Sequence, residues 1–162
     1  MIQLADELVG GVLTAGPHRL EAAAKANIPQ VVSVGALDMV NFGPSSTVPD
    51  KFKGRLFYEH NASVTLMRTT RDECTQLGET LARKVGAADP GKTYVIIPLR
   101  GVSLIDVEGA PFYDSAADRA LFLALRNGAQ CPVLDVDADI NDPSFAKEAV
   151  RLLHEMIMSG AK

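Results

Sequence analysis

With 162 residues the chain has the size of a single domain, and by burying roughly 70% of its unfolded surface it can fold without disulfide or metal staples. A net charge of −4 argues against a nucleic-acid partner, which asks for a basic patch or stripe, and no apolar run approaches the ~20 residues needed to span a bilayer. Cys74 and Cys131 stand far apart with no CxxC or Cys/His cluster, which fits a reduced, cytoplasmic chain without a thiolate metal site.

In chain order, Ile2–Val9 places Leu4, Ala5, Leu8 and Val9 at helical spacing, and Gly10–Gly11 offers a stop. A short buried strand through Val12–Leu13 is the rival reading. Gly16–Pro17 opens a second helix with Leu20, Ala23, Ala24 and Ile28 as its apolar stripe. Pro29 ends it, and Gln30–Val34 reads as a central strand. The next stretch, Ser33–Pro44, carries glycines, a proline and bare polar groups directly after that strand. This is where open α/β proteins line a ligand crevice. Pro44–Lys53 reads as loop and Arg55–Tyr58 as a short edge strand. A T-x-x-E capping box at Thr70 and Glu73 starts a helix with Leu77, Leu81 and Val85 on one face. Thr93–Pro98 is the clearest buried strand, and it opens a long loop, Leu99–Tyr113. Asp114 or Ser115 caps a helix carrying apolar Ala120, Leu121, Ala124 and Leu125. Cys131–Val136 is a third strand, and Asp142–Pro143 starts a last helix that buries Phe145, Ala149, Leu153, Met156 and Ile157. This alternation predicts an α/β fold, a three-layer, Rossmann-like α/β/α sandwich. Its mostly parallel sheet runs through Val31–Ser33, Tyr94–Ile97 and Pro132–Asp135.

Parallel strands release their following loops on one sheet edge, so Gly35–Pro44 and Gly101–Gly109 are expected side by side there, with His60–Thr70 closing one flank. Asp38, Asn41, Arg100, Ser103, His60 and Asn61 then face a common space, and Arg68 belongs to the same flank. Asp and Asn also bond their own backbone in turns, so these positions carry a purely local reading as well. Arg100–Gly101 is the best anion candidate, a guanidinium beside a residue that lets backbone N–H groups approach. The helix start at Thr69–Thr70 offers N–H groups to an anion, or simply a cap. Asp135, Asp137 and Asp139 recur with period two, so they share a strand face and require the sheet's end, a cation or basic partners. With Asp38 or Asp106, Asp137 supplies oxygen ligands of the kind Mg²⁺ takes; ordinary hydrogen-bonded loop aspartates are the other reading. No G-x-S-x-G, H-E-x-x-H or G-x-x-x-x-G-K-[ST] motif is present.

The wording of the chain says more than its chemistry. The run S-V-G-A-L-D-M-V-N-F-G-P (Ser33–Pro44) resembles the family of the tomato mosaic virus resistance protein. The likeness continues through E-H-N (Glu59–Asn61), V-T-L-M-R-T-T (Val64–Thr70), G-V-S (Gly101–Ser103), F-Y-D (Phe112–Asp114) and I-N-D-P (Ile140–Pro143). The resemblance implies a protein built from two α/β halves, described as ATP-binding, of which this chain is similar to the second half. A Gly-Thr-Lys-type loop for nucleotide phosphate is then expected in the first half, so this chain supplies one wall of a shared cleft. Where relatives read H-I-N-D, this chain has Asp139-Ile140-Asn141-Asp142, which puts a metal or proton-transfer role at position 139 in doubt.

Three functions compete on these grounds. The first is a small-molecule domain for a nucleotide such as ATP or another anion, working with a missing N-terminal domain. The second is a hydrolase or transferase using Mg²⁺ on loop aspartates, and the third an interaction module. A half-protein should expose the apolar patch where its partner sat, so a homo-oligomer is expected.

Overall fold

The computed structural model describes residues 1–160. Helices α1 (Ile2–Val9) and α2 (Ala22–Ala26) lead into β1 (Gln30–Ser33). The strands β2 (Met39–Phe42), β3 (Phe57–Asn61) and β4 (Val64–Arg68) then precede α3 (Arg71–Val85). Strand β5 (Thr93–Pro98), α4 (Ser115–Gly128), β6 (Val133–Val136) and α5 (Pro143–Gly160) complete the order.

A parallel sheet runs β1-β5-β6, with Val32 opposite Val95 and Ile97 opposite Asp135. The pleat sends successive side chains to opposite faces. Val32, Val95 and Ile97 pack with Leu77 and Leu81 of α3 and Leu121 and Leu125 of α4. Val31, Tyr94, Ile96 and Leu134 meet Phe145, Ala149 and Leu152 of α5 on the other side. Helices thus cover both faces, as an all-parallel sheet requires. The three strands read as parallel from the sequence are the three that pair, although Gln30–Ser33 lies at the edge and β5 takes the centre.

The second sheet, β2-β4-β3, is antiparallel, with Val40 opposite Met67 and Tyr58 opposite Leu66. The fold is α/β, but only one of its two sheets is parallel. Strand β2 lies within Ser33–Pro44, where the sequence predicts a ligand loop; all four of its residues are buried, so no polar alternation marks it. Strand β4 is equally silent, being buried from Thr65 to Arg68.

Local signals fared unevenly. The capping box forms, with Glu73 N–H donating to Thr70 Oγ1 at 3.2 Å and Thr70 N–H to Glu73 Oε2 at 2.7 Å. Asp114 caps α4, accepting from Ala116 and Ala117 N–H at 3.0 Å each. Ile2–Val9 is helical and Val12 and Leu13 are exposed, which removes the strand alternative. The helix expected from Pro17 shrinks to Ala22–Ala26, because Leu20 adopts a left-handed φ of 75° that ends any helical run through it. In α5, Leu152 rather than Leu153 is buried, and Ile157 is half exposed. None of the described helices is long and apolar enough to cross a membrane.

Candidate functional site

The loops after β1, β5 and β6 leave the same edge of the parallel sheet and are tied together. Ala36 N–H donates to Val102 O at 2.7 Å, and Ile140 N–H donates to Gly101 O at 3.0 Å. Ser103 Oγ donates to Asp38 Oδ2 at 2.7 Å across the first two loops. Gly101 has φ +141°, and a Cβ there would come within 3.0 Å of Asp106 O, so the tight return of this loop requires glycine.

Behind the loops lies a buried polar cluster centred on Arg68, the last residue of β4. Its Nη2 donates to Asp118 Oδ1 at 2.6 Å and to Asp106 Oδ1 at 3.1 Å. Nε donates to Phe112 O at 2.8 Å, and Nη1 to Thr69 Oγ1 at 3.1 Å. Asp106 Oδ2 accepts a further bond from Val102 N–H at 3.1 Å. Asp38, which is fully buried, has one satisfied oxygen; its Oδ1 is buried with no partner among the described residues. Three carboxyls therefore lie close to one guanidinium, all of them buried except for the edge that Asp118 turns to the pocket. Burial, reinforced by repulsion from Asp118, pushes Asp106 up to about 7. Burial likewise lifts Asp118, though Arg68 opposes it. Asp38 is raised by burial too, against the pull of Ser103 and Arg68. For Arg68, burial lowers its value, and Asp106 and Asp118 more than restore it. Burial raises the Cys74 thiol to about 11, so that neighbour of Arg68 is inert.

In front of the cluster is a pocket of about 610 Å³, lined by Arg100, Gly101, Tyr113, Ser115, Asp118 and Arg119, with Asp139 at its β6 side. It opens where the connection after β5 runs to α4 on one face while that after β6 runs to α5 on the other, the general position of ligand crevices in open α/β sheets. Arg100 holds Asp137 through two bonds of 2.7 Å each at the exposed rim. The Arg100 guanidinium keeps the Asp137 carboxyl below the usual range. Arg119 forms no ion pair among the described residues. Asp118 is the one residue common to pocket and cluster.

Residues 1–157 match the family described as the uncharacterised protein family UPF0261, C-terminal domain. The chain belongs to this family. It is 50% identical to a UPF0261 protein of Clostridium tetani over 94% of the chain and 38% of that protein. It is 46% identical to one of Mesorhizobium japonicum, over 93% of the chain and 39% of that protein. The tomato protein named ToMV resistance protein Tm-1(GCR237) is 41% identical over 91% of the chain and 20% of its own length. The chain thus spans about two fifths of the length of the bacterial relatives it matches, and the resemblance seen in Ser33–Pro44 is a family relationship.

Within this C-terminal domain the residues singled out from sequence fall into separate groups. Asp38, Arg68, Ser103 and Asp106 meet in the buried cluster, and Arg100 and Gly101 line the pocket. Asn41 lies elsewhere: its N–H and Nδ2 donate to the buried Asp6 at 2.7 and 3.0 Å, fixing β2 to α1. His60 and Asn61 are exposed at the β3–β4 hairpin, and Asn61 Oδ1 accepts from Ser63. With ~3.3 Å per residue, the five residues of β4 put that hairpin roughly 13 Å from Arg68. Asp106 and Asp137 are held by different arginines, one buried and one exposed, so they do not form a common cation site. No group of three or more His, Cys, Asp or Glu able to hold a metal is gathered among the described residues. In this acidic row Asp135 finds Arg126 at 2.6 Å and Asp137 finds Arg100, while Asp139 Oδ1 accepts from Asn141 N–H at 2.8 Å. Sequence reading missed Asp118, Arg119 and Ser115. The available signal was Asp118 itself, a carboxylate inside the buried stripe Ala117, Leu121, Phe122 and Leu125.

Proposed function

We propose that this domain forms one wall of a binding site for a small phosphate-bearing molecule, with a nucleotide such as ATP as the first probe. The observation that carries the reading is the pocket at the C-terminal ends of β5 and β6 with Arg100 and Arg119 in its lining. Its volume of about 610 Å³ is within the usual range for small-molecule sites. Guanidinium groups are suited to phosphate because they offer parallel N–H donors. Arg100 already carries Asp137, but both are exposed, and such surface pairs are weak enough to yield to an incoming anion. The donor set does not fit a resident Mg²⁺ held by protein carboxylates, so a cation would arrive with the phosphates.

Leu99, Leu104 and Tyr113 lie exposed along the same loop, with Leu104 75% accessible. This apolar rim supports a cleft completed by the rest of the family's longer proteins, or by a second copy in a homo-oligomer. The two free, buried cysteines agree with a reducing, cytoplasmic setting. Titrating the chain with ATP, with and without Mg²⁺, tests the reading. Saturable binding that Arg119→Ala weakens is expected, and binding indifferent to both Arg100→Ala and Arg119→Ala would overturn it.

A further inference from the structure

The Arg68 cluster holds more carboxyls than its single cation can neutralise. Ionising Asp38, Asp106 and Asp118 together would leave two uncompensated negative charges in the interior, which proteins avoid by keeping protons on such groups. Hydrogen-bond geometry decides where a proton fits. Both oxygens of Asp106 already accept N–H donors, one from Arg68 and one from Val102, and Asp106 does not line the pocket, so a proton it holds is out of a ligand's reach. Asp38 has a free Oδ1, but it is sealed inside the protein and lies outside the pocket lining. Asp118 combines both requirements. Its Oδ1 is pinned on Arg68, its Oδ2 has no hydrogen-bond partner among the described residues, and its side chain, nine-tenths buried, lines the pocket.

We propose that one of the cluster's protons resides on Asp118 Oδ2, and that Asp118 donates it in a hydrogen bond to an anionic phosphate oxygen of the bound ligand. This inference rests on the phosphate-ligand reading of the same pocket. An ionised Asp118 would repel such a ligand and offer it no donor, whereas the neutral acid supplies one beside Arg100 and Arg119. Binding is therefore coupled to proton uptake as pH rises. The groups facing Asp118 are Arg68 from β4, Asp106 and Asp114 from the β5–α4 loop, Asp38 from the β1–β2 loop and Cys74 from α3. Across the pocket stand Arg100, Glu108, Arg119 and Asp139. The same cluster admits no competing proton site that reaches the ligand.

Two measurements on the chain test this. Carbon-13 NMR of the aspartate carboxyls from pH 3 to 9, with Asp118→Asn to assign the signal, should show Asp118 titrating at about 6, well above the ordinary carboxylate range. Calorimetric titration with ATP, and separately with inorganic phosphate, should then be compared for wild type and Asp118→Asn from pH 5.5 to 8.5. Asparagine keeps an acceptor for Arg68 and a permanent donor for the ligand, so its affinity should lack the protein's pH dependence. The ratio of wild-type to Asp118→Asn Kd should rise by about tenfold per pH unit above the Asp118 titration, the ligand's own ionisation cancelling in the ratio. Binding by both ligands places the recognition on phosphate itself, and binding by ATP alone extends it to the nucleoside. ATP binding with an ionised Asp118 near pH 5, or with a constant ratio, overturns the inference alone. Absence of binding by both ligands, with Asp118 titrating high, overturns the phosphate reading and the donor role with it.

Discussion

Replacing Arg68 with methionine removes the one cation of the cluster while keeping a long side chain in its space. Phe112 O loses its donor at 2.8 Å, and Asp106 and Asp118 lose a shared partner at 3.1 and 2.6 Å. Breaking a buried ion pair from one side costs about 3–5 kcal/mol, because the remaining charge stays in the interior without compensation. That is a large share of the roughly 5–15 kcal/mol that holds a domain folded. In a chain of this size it corresponds to a Tm lower by roughly 6–20 °C. The loss should itself depend on pH. In the wild type, burial raises Asp106 and Asp118 above their unfolded values near 3.9, so the folded state holds more protons than the unfolded one between about pH 4 and about 7. Stability from these groups therefore falls as pH rises through that window. Without Arg68, which pulls both values down, the acids rise further, and the fall continues above pH 7. Urea denaturation of wild type and Arg68→Met at pH 5 and pH 8 reads this directly. A loss of about 3–5 kcal/mol at pH 8 and clearly less at pH 5 is expected. A loss below about 1 kcal/mol at pH 8, or an equal loss at both values, would refute the account of the cluster.

Other expectations concern separate parts of the molecule. Asp6→Ala leaves the Asn41 N–H, Asn41 Nδ2 and Leu13 N–H donors without an acceptor, and should cost about 2–4 kcal/mol in urea denaturation with ATP affinity of the folded protein unchanged. Gly78→Ala would drive a Cβ to 2.5 Å from Leu121 O where α3 crosses α4, so a loss of about 1–3 kcal/mol should appear in the same assay. Arg100→Ala should weaken ATP by about ten- to a hundred-fold in calorimetry, the effect of one charge-assisted contact. His60→Ala, out on its hairpin, should stay within about twofold of wild type.

Much of the parallel layer was legible in the residues. Thr93–Pro98 is an apolar run long enough to read as a central strand, and the T-x-x-E box and Asp114 are local hydrogen-bonding devices that work the same way in any context. The family was legible as well, because S-V-G-A-L-D-M-V-N-F-G-P is a long and specific string. The antiparallel sheet was not. Met39–Phe42 and Thr65–Arg68 are buried on both faces, and a strand without a wet face has no alternation to reveal it.

The site divides along the same line. Sequence alone determined that polar residues follow β1 and β5, and that these loops share an edge, because parallel strands point one way and chain connectivity is a local matter. Which of those residues meet was decided only by tertiary packing. Asn41 and Asp38 are three apart, yet one is bound by Asp6 on α1 and the other by Ser103 from the β5–α4 loop. Asp118 joined the cluster from a helix turn 50 positions beyond Arg68. Its raised proton affinity comes chiefly from burial, which outweighs the opposing pull of Arg68, and burial is a property that a side chain acquires only when distant segments close over it.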